Sequence, residues 1–413
     1  MGKKEIIKKE GKKLPKEFEE YIGQYMKENT VKNMADIQEM MRSMFGPTMQ
    51  KMLEAEMDAK LGYSKNERAD TDNSRNGYYR GREVNSNYGE IPIRVPRDRN
   101  GEIESDIVPK YSRNINGFDD QIIGLYGIGM SDRDISDQIY QLFGCTLTPE
   151  MISTITDKII PDIQEWQKRK LEKKYPVIFI DAIHFSVKDN GQVVKKAAYI
   201  VLGVDRDGNK GVLSIVIGEN ESAKMWLNIL NDLKNRGVQD ILIVCADGLT
   251  GIKDAINIAF PESEYQRCIV HQIRNSLKYV KHEDKNELCQ DLKTVYTAST
   301  AEQGFNELIC LEEKWGKKYP SAIKSWIDNW DSLATFFKFS GDLRKVMYTT
   351  NPIESLNSSY RRANKNRVVF PTNMSLLKTL YLATKNIEKR WTMRYKEWDK
   401  VLAQLQILYP ERI

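Results

Sequence analysis

The chain has 413 residues, more than one ordinary core organises, so two or more structural units are expected. Its net charge of +5 is mild, but Lys and Arg crowd Lys3 to Lys16, Arg75 to Arg97 and Arg361 to Arg367, which points to a polyanionic partner. Five cysteines, an odd number, and a Met-Gly-Lys-Lys-Glu start without an apolar core argue against a disulfide framework and fit a reducing cytoplasm; no apolar run nears the roughly 20 residues that span a bilayer.

Residues 1 to about 62 read as helical, with Phe18, Tyr21, Ile22 and Tyr25 before a break at Gly46-Pro47, and Met49, Met52, Leu53 and Met57 after it. A methionine stripe of this kind is core or dimer seam. From Asn76 to about Tyr111 the texture is that of a small β unit, with Tyr78-Tyr79-Arg80, Arg82-Glu83-Val84 and Ile91-Pro92-Ile93-Arg94-Val95-Pro96-Arg97. Its basic side chains suit phosphate binding or a solvated strand face equally well. Three short helices are predicted next: Phe118 to Tyr126, Ser131 to Phe143 with Ser131 as N-cap and Gly144 as stop, and one opening at Thr148-Pro149-Glu150. They resemble a helix-turn-helix reader of DNA, although any three-helix bundle has this look.

After a helix through Trp166, strands are expected near 177–181, 195–204 and 211–218, a helix at 222–236, a strand at 240–245, a helix at 251–260 and a strand at 264–270. This β-β-β-α-β-α-β order matches an RNase H-like core, in which the first and fourth strands lie side by side and parallel. Asp181 and Asp247 would then meet at neighbouring strand ends. Residues 275–345 read as an all-α insertion, and Ser375 to Leu408 as one long amphipathic stretch that packs on the core or on a partner subunit.

Two strand-borne acids and a third, Glu354, at a helix start suggest a divalent-metal site for cutting phosphodiesters. Two Mg²⁺ ions roughly 3.5–4 Å apart activate the attacking hydroxyl and neutralise the leaving oxygen, and carboxylates are their natural ligands. Each acid also has a plainer reading. Asp181 and Asp247 could be turn or cap residues, and Asn351-Pro352-Ile353-Glu354 has the form of N-cap, N1 and N3. Cys268 and His271 form a C-x-x-H pair; with His282 and Cys289 the spacing is not a standard zinc pattern, and a buried pair bracing the active site is the better reading. Arg361 and Lys365 fall near the helix face that carries Glu354, where they suit a DNA backbone or plain solvation. Trp326 and Trp330, four apart on one predicted helix, fit core packing better than stacking on an unpaired base. The Gly248–Lys253 segment is no P-loop, and three histidines give no hydrolase triad.

Together these segments resemble the mutator-type transposases of bacterial insertion sequences, relatives of the plant Mutator-like transposases, over about residues 50–390. The resemblance rests on Tyr126-Gly127-Ile128-Gly129-Met130-Ser131-Asp132-Arg133-Asp134-Ile135, Asp181-Ala182-Ile183-His184-Phe185, and Gly218-Glu219-Asn220-Glu221-Ser222-Ala223 with Trp226. It continues through Ala246-Asp247-Gly248-Leu249-Thr250-Gly251-Ile252, Cys268-Ile269-Val270-His271 with Arg274-Asn275, Tyr348-Thr349-Thr350-Asn351-Pro352-Ile353-Glu354-Ser355, and Phe370-Pro371. It implies that Asp181, Asp247 and Glu354 are the catalytic, metal-holding triad, with Cys268 and His271 a signature pair. Ile128, where a basic residue is common, and Pro352, where alanine is usual, depart from the pattern.

The expected organisation is α/β: a helical region for oligomerisation or DNA binding (1–75), a basic β unit (76–117) and a helix-turn-helix-like domain (118–170). An RNase H-like core follows in two parts (171–274 and 346–372) around the all-α insertion (275–345), then a C-terminal helical region (373–413). The implied activity is Mg²⁺-dependent, or Mn²⁺-dependent, cleavage and strand transfer on double-stranded DNA, joining terminal inverted repeats to target DNA in the bacterial cytoplasm at the nucleoid. A homodimer or higher oligomer is expected, with Arg133, Arg274, Arg361, Arg362 and Lys365 as DNA contacts and no membrane partner. The alternatives are a transposase-derived regulator without catalysis and a metal-dependent nuclease.

Overall fold

Helix α1 (Lys16–Glu28) and helix α2 (Met34–Leu61) begin the part of the chain that the computed structural model describes, residues 16–65, 67, 72–86, 88–109, 118–143, 145–218, 222–348 and 352–412. The Gly144 stop, the Asn351 cap, residues 110–117 of the expected β unit, residues 219–221 and 349–350 of the motifs, and the basic tract before Lys16 lie outside the described residues. The chain forms two compact units, one reaching Ile122 and adding Asp132–Ser153, the other made of Ile123–Ser131 and Thr154 onward.

In the first unit α2 opens on a reciprocal cap. The Asn33 side chain accepts from the Ala35 and Asp36 amides, and the Asp36 carboxylate accepts from the Asn33 amide. The predicted break at Gly46-Pro47 does not occur: α2 runs straight through it. An interior proline costs about 3 kcal/mol, and packing offsets that cost here, since Met49 and Leu53 are buried with Val84, Ile91, Ile93 and Val108. Gly46 permits the approach, because a Cβ there would lie 3.1 Å from Ile91 Cγ2. Part of the methionine stripe is therefore core, whereas Met52 is 48% exposed. Four short strands follow, β1 (Arg75–Tyr78), β2 (Arg82–Ser86), β3 (Gly89–Ile93) and β4 (Pro96–Asp98), paired antiparallel as β1 with β4 and β2 with β3. Helices α3 (Phe118–Gly127), α4 (Asp132–Phe143) and α5 (Pro149–Asp157) stand where three were predicted.

The second unit holds helix α6 (Ile160–Lys168) and a five-stranded mixed sheet of β5 (Lys174–Asp189), β6 (Gln192–Val204), β7 (Lys210–Gly218), β8 (Asp240–Ala246) and β9 (Glu264–Arg267), in the order β7-β6-β5-β8-β9. Pairing is antiparallel from β5 to β6 and from β6 to β7, and parallel from β5 to β8 and from β8 to β9. The period of two along β5 sends Val177 and Phe179 to one face and Ile178 and Ile180 to the other. Helices α7 (Ala223–Asn235) and α8 (Ile252–Ala259) cover the second face through Trp226, Leu230, Leu233 and Ile256.

Two strand limits differ from expectation. β5 continues eight residues past Asp181, because β6 pairs with it as far as Gln192, so Asp181 lies inside a strand rather than at its end. β9 stops at Arg267 and helix α9 (Ile269–Leu277) takes over, which puts Ile269 and Val270 on a helix instead of a strand and carries His271 with them. Helices α10 (Lys285–Thr297), α11 (Ala301–Trp315), α12 (Pro320–Asp328), α13 (Trp330–Leu333) and α14 (Gly341–Tyr348) follow. Asn329 separates α12 from α13, so Trp326 and Trp330 do not share a helix. Trp326 is fully buried with its indole N–H donating to Ser276 Oγ (2.9 Å), and Trp330 packs on Phe305 and Phe337, so both serve the core.

Helix α15 (Pro352–Ala363) carries Glu354, and the chain after it returns to β5, where the Phe370 amide donates to Ser186 O (2.9 Å) and the Lys188 amide to Phe370 O (2.9 Å). The expected single C-terminal stretch is two helices, α16 (Asn373–Glu388) and α17 (Trp398–Leu408). The connector is held on the β6–β7 turn instead of continuing as helix: the Tyr395 amide donates to Gly208 O (3.0 Å) and the Trp398 indole to Arg206 O (2.8 Å). No helix among the described residues is long and apolar enough to cross a membrane.

Candidate active site

The parallel pairing of β5 with β8 puts Ile180 opposite Ala246, so the next residue on each chain, Asp181 and Asp247, arrives at the same edge. Beyond Ala246 the chain leaves the sheet, the Asp247 carboxylate accepts from the Gly248 amide (2.7 Å), and the Cys268 amide donates back to Ala246 O (2.8 Å). That last bond starts α9 beside β8 and brings His271 between the acids. Its Nε2 lies 3.9 Å from Asp181 Oδ2 and 4.0 Å from Glu354 Oε1. Ligating atoms of Asp181, Asp247 and His271 lie within 4.8 Å of one another, as do those of Cys268, His271 and Glu354. His271 is the vertex common to both sets.

Glu354 is placed by the start of α15 at Pro352, the N1 position for which proline is suited. The helix buries Ile353, Leu356, Asn357 and Tyr360, and its fixed pitch leaves Glu354 and Asn357, three apart, on neighbouring rows. Asn357 Nδ2 donates to Asp181 Oδ2 (2.5 Å), the Ala182 amide donates to Asp181 Oδ1 (2.8 Å), and Arg274 Nη2 donates to Glu354 Oε2 (2.9 Å). α15 is thus tied to β5 at the acids themselves.

Burial pushes the Asp181 carboxyl above its ordinary range; His271, the Ala182 amide and Arg361 oppose that rise, and the charge of Asp247 adds to it. Glu354 Oε1 is buried and accepts no hydrogen bond among the described residues. A cation among these carboxylates relieves both conditions. The donors fit a hard divalent ion, two aspartates and a glutamate with an imidazole between them. Burial pushes the Cys268 thiol up to about 12, and a soft sulfur is a poor ligand for a hard divalent ion. His282 and Cys289 belong to no ligating cluster among the described residues, which leaves the zinc reading without support.

Asp181, His271, Arg274, Glu354, Asn357 and Arg361 line one cleft of about 550 Å³. Arg362 on α15 and Lys365 in the turn that follows it are exposed and are not part of the lining, and Arg133 lies in the other compact unit. Sequence reading passed over Asn357, whose only signal is its spacing from Glu354. It also passed over Lys210 and Tyr395, which line the same cleft from distant positions and carry no signal.

The chain belongs to the Mutator family of transposases: the family model described as "Transposase, Mutator family" matches residues 17–394. It is similar to a transposase for insertion sequence element ISRM3 of Rhizobium meliloti, 39% identical over 364 residues, covering 88% of this chain and 90% of that one. A probable insertion sequence transposase of Corynebacterium diphtheriae is 40% identical over 338 residues, 77% of this chain and 98% of that one. The transposase of IS256 in transposon Tn4001 of Staphylococcus aureus is 28% identical over 335 residues, 79% and 85% of the two chains.

Proposed function

We propose that this chain is a DNA transposase that binds the terminal inverted repeats of its insertion sequence, frees 3′ hydroxyls and joins them to target DNA, using Asp181, Asp247 and Glu354 as a metal-holding triad. The observation that carries this reading is the convergence on His271 of three acids from positions 181, 247 and 354. The sheet order, three antiparallel strands followed by two parallel ones, supports an RNase H-like core, with α10–α14 as an all-α insertion between β9 and α15.

Asp181, Asp247 and Glu354 would hold two Mg²⁺ or Mn²⁺ ions, which when bound polarise the phosphodiester, activate the attacking hydroxyl and stabilise the leaving oxygen. Asn357 and the Ala182 amide fix the Asp181 carboxylate, while Arg274 holds Glu354 Oε2 and leaves Oε1 facing His271. Arg361 and Arg274 supply positive charge along the cleft for the DNA backbone. The three-helix segment α3–α5, with Arg133, supports a DNA-reading role, and two bound ends call for at least two copies of the chain.

The test is incubation of the full-length chain with a labelled, pre-cleaved end of its own element and a supercoiled plasmid, with Mg²⁺ or with chelator. Joined products that need the metal support the proposal. Cleavage of arbitrary DNA without joining would mark a nuclease, and binding without cleavage or joining would mark a regulator.

A further inference from the structure

We propose that Lys210, held on the rings of Trp391 and Tyr395, forms a phosphate-binding subsite on the wall of the acid cleft, and that it takes a backbone phosphate of the DNA strand flanking the scissile one. Lys210 and Tyr395 line the cleft together with Asp181, His271, Glu354 and Arg361. Lys210 is not a solvated surface lysine. Its half-buried ammonium sits 5.3 Å from the ring centroids of both Trp391 and Tyr395, and among the described residues it makes no ion pair and no hydrogen bond.

A cation is therefore held in the cleft wall without an acceptor among the described residues. The aromatic rings favour the cation but leave its N–H groups unfilled. Burial also lowers the Lys210 pKa, a strain that an anion beside it removes. An anionic oxygen satisfies the ammonium through charge-assisted hydrogen bonds.

Placement favours a strand phosphate. Lys210 pairs with Val204 and Val204 with Val177, four residues before Asp181 on β5. At about 3.3 Å per residue that is on the order of 13 Å along the strand direction, too far for the group being cut and suited to a neighbour on the same polymer. The wall is fixed rather than adaptable, since the Tyr395 amide is bonded to Gly208 O in the turn that delivers Lys210.

This inference rests on the transposase reading of the acids, and the experiment separates the two. Binding of the full-length wild-type and Lys210→Met chains to a labelled duplex carrying the element's terminal sequence is measured over a range of salt concentrations, beside a scan of single methylphosphonates along the cleaved strand. Methionine keeps the stem between the rings, and melting temperatures report on folding. The expected result is about 10-fold weaker binding by Lys210→Met at fixed salt, with a log affinity against log salt slope smaller by about 1. One methylphosphonate position should weaken the wild type and add nothing to the defect of Lys210→Met. Unchanged affinity and slope, or a scan in which no cleaved-strand position matters to the wild type, would overturn the subsite while leaving metal-dependent joining intact. Wild-type protein that neither binds nor joins the end would overturn both.

Discussion

Replacing Asn357 by leucine should leave the fold nearly as stable as before and cripple the chemistry. Asn357 is 1% exposed; its Nδ2 donates to Asp181 Oδ2 at 2.5 Å, while its Oδ1 is buried without a partner among the described residues. Leucine removes a hydrogen bond to a charged acceptor, a loss of about 1.5–3 kcal/mol, and also removes an unsatisfied buried oxygen, a gain of about 1–3 kcal/mol. The two effects offset each other, so urea or thermal unfolding of the metal-free protein should move by no more than about 2 kcal/mol in either direction. The site fares differently, because Asp181 keeps the Ala182 amide alone and its carboxylate is free to swing. Loss of a partner that orients a ligand typically costs about 10–100-fold in metal affinity or activity. The assay is strand joining with a pre-cleaved end over a Mg²⁺ titration, read beside the melting curves. A wild-type Mg²⁺ dependence and joining rate in Asn357→Leu would refute the claim that α15 positions Asp181 through this bond.

Asp181→Asn in chelator should raise the melting temperature at neutral pH. The folded carboxyl has its pKa raised by burial, so the folded state is favoured while Asp181 is protonated and that advantage is lost as pH rises through the folded pKa. The gain from asparagine should shrink towards zero as pH falls below the ordinary carboxylate range of about 4; a gain that is constant from pH 4 to pH 8 would contradict this. Trp326→Ala should cost about 3–5 kcal/mol in urea unfolding, the usual price of emptying a buried aromatic site. Weakened DNA binding at undiminished stability would instead favour the base-stacking role.

Much of the second unit was legible because its strands are buried on both faces and read as apolar runs, as in Val177–Ile180 and Ile241–Ala246, and because glycine and polar residues punctuate them. Strand ends were less so. β5 runs on past Asp181 through His184, Ser186 and Lys188, residues that look like loop until β6 pairs with them. The passage of α2 through Gly46-Pro47 depended on packing against Ile91, 45 residues further on, which no local pattern reports. The C-terminal break was hidden for the same reason: the partner of the Tyr395 amide is Gly208 O. At the site, the acids stood out by their place after strands and at a helix start, and α9 explains why a C-x-x-H pair accompanies them. Lys210 and Tyr395 reach the cleft only through the fold.

The most direct measurement of the central claim is the single-turnover joining rate of wild-type protein and of Glu354→Gln with a pre-cleaved end in saturating Mg²⁺, at equal occupancy of the DNA. The triad predicts that Glu354→Gln binds the end and yields no detectable joined product. Joining by Glu354→Gln at a rate near that of the wild type would show that the chemistry is done elsewhere.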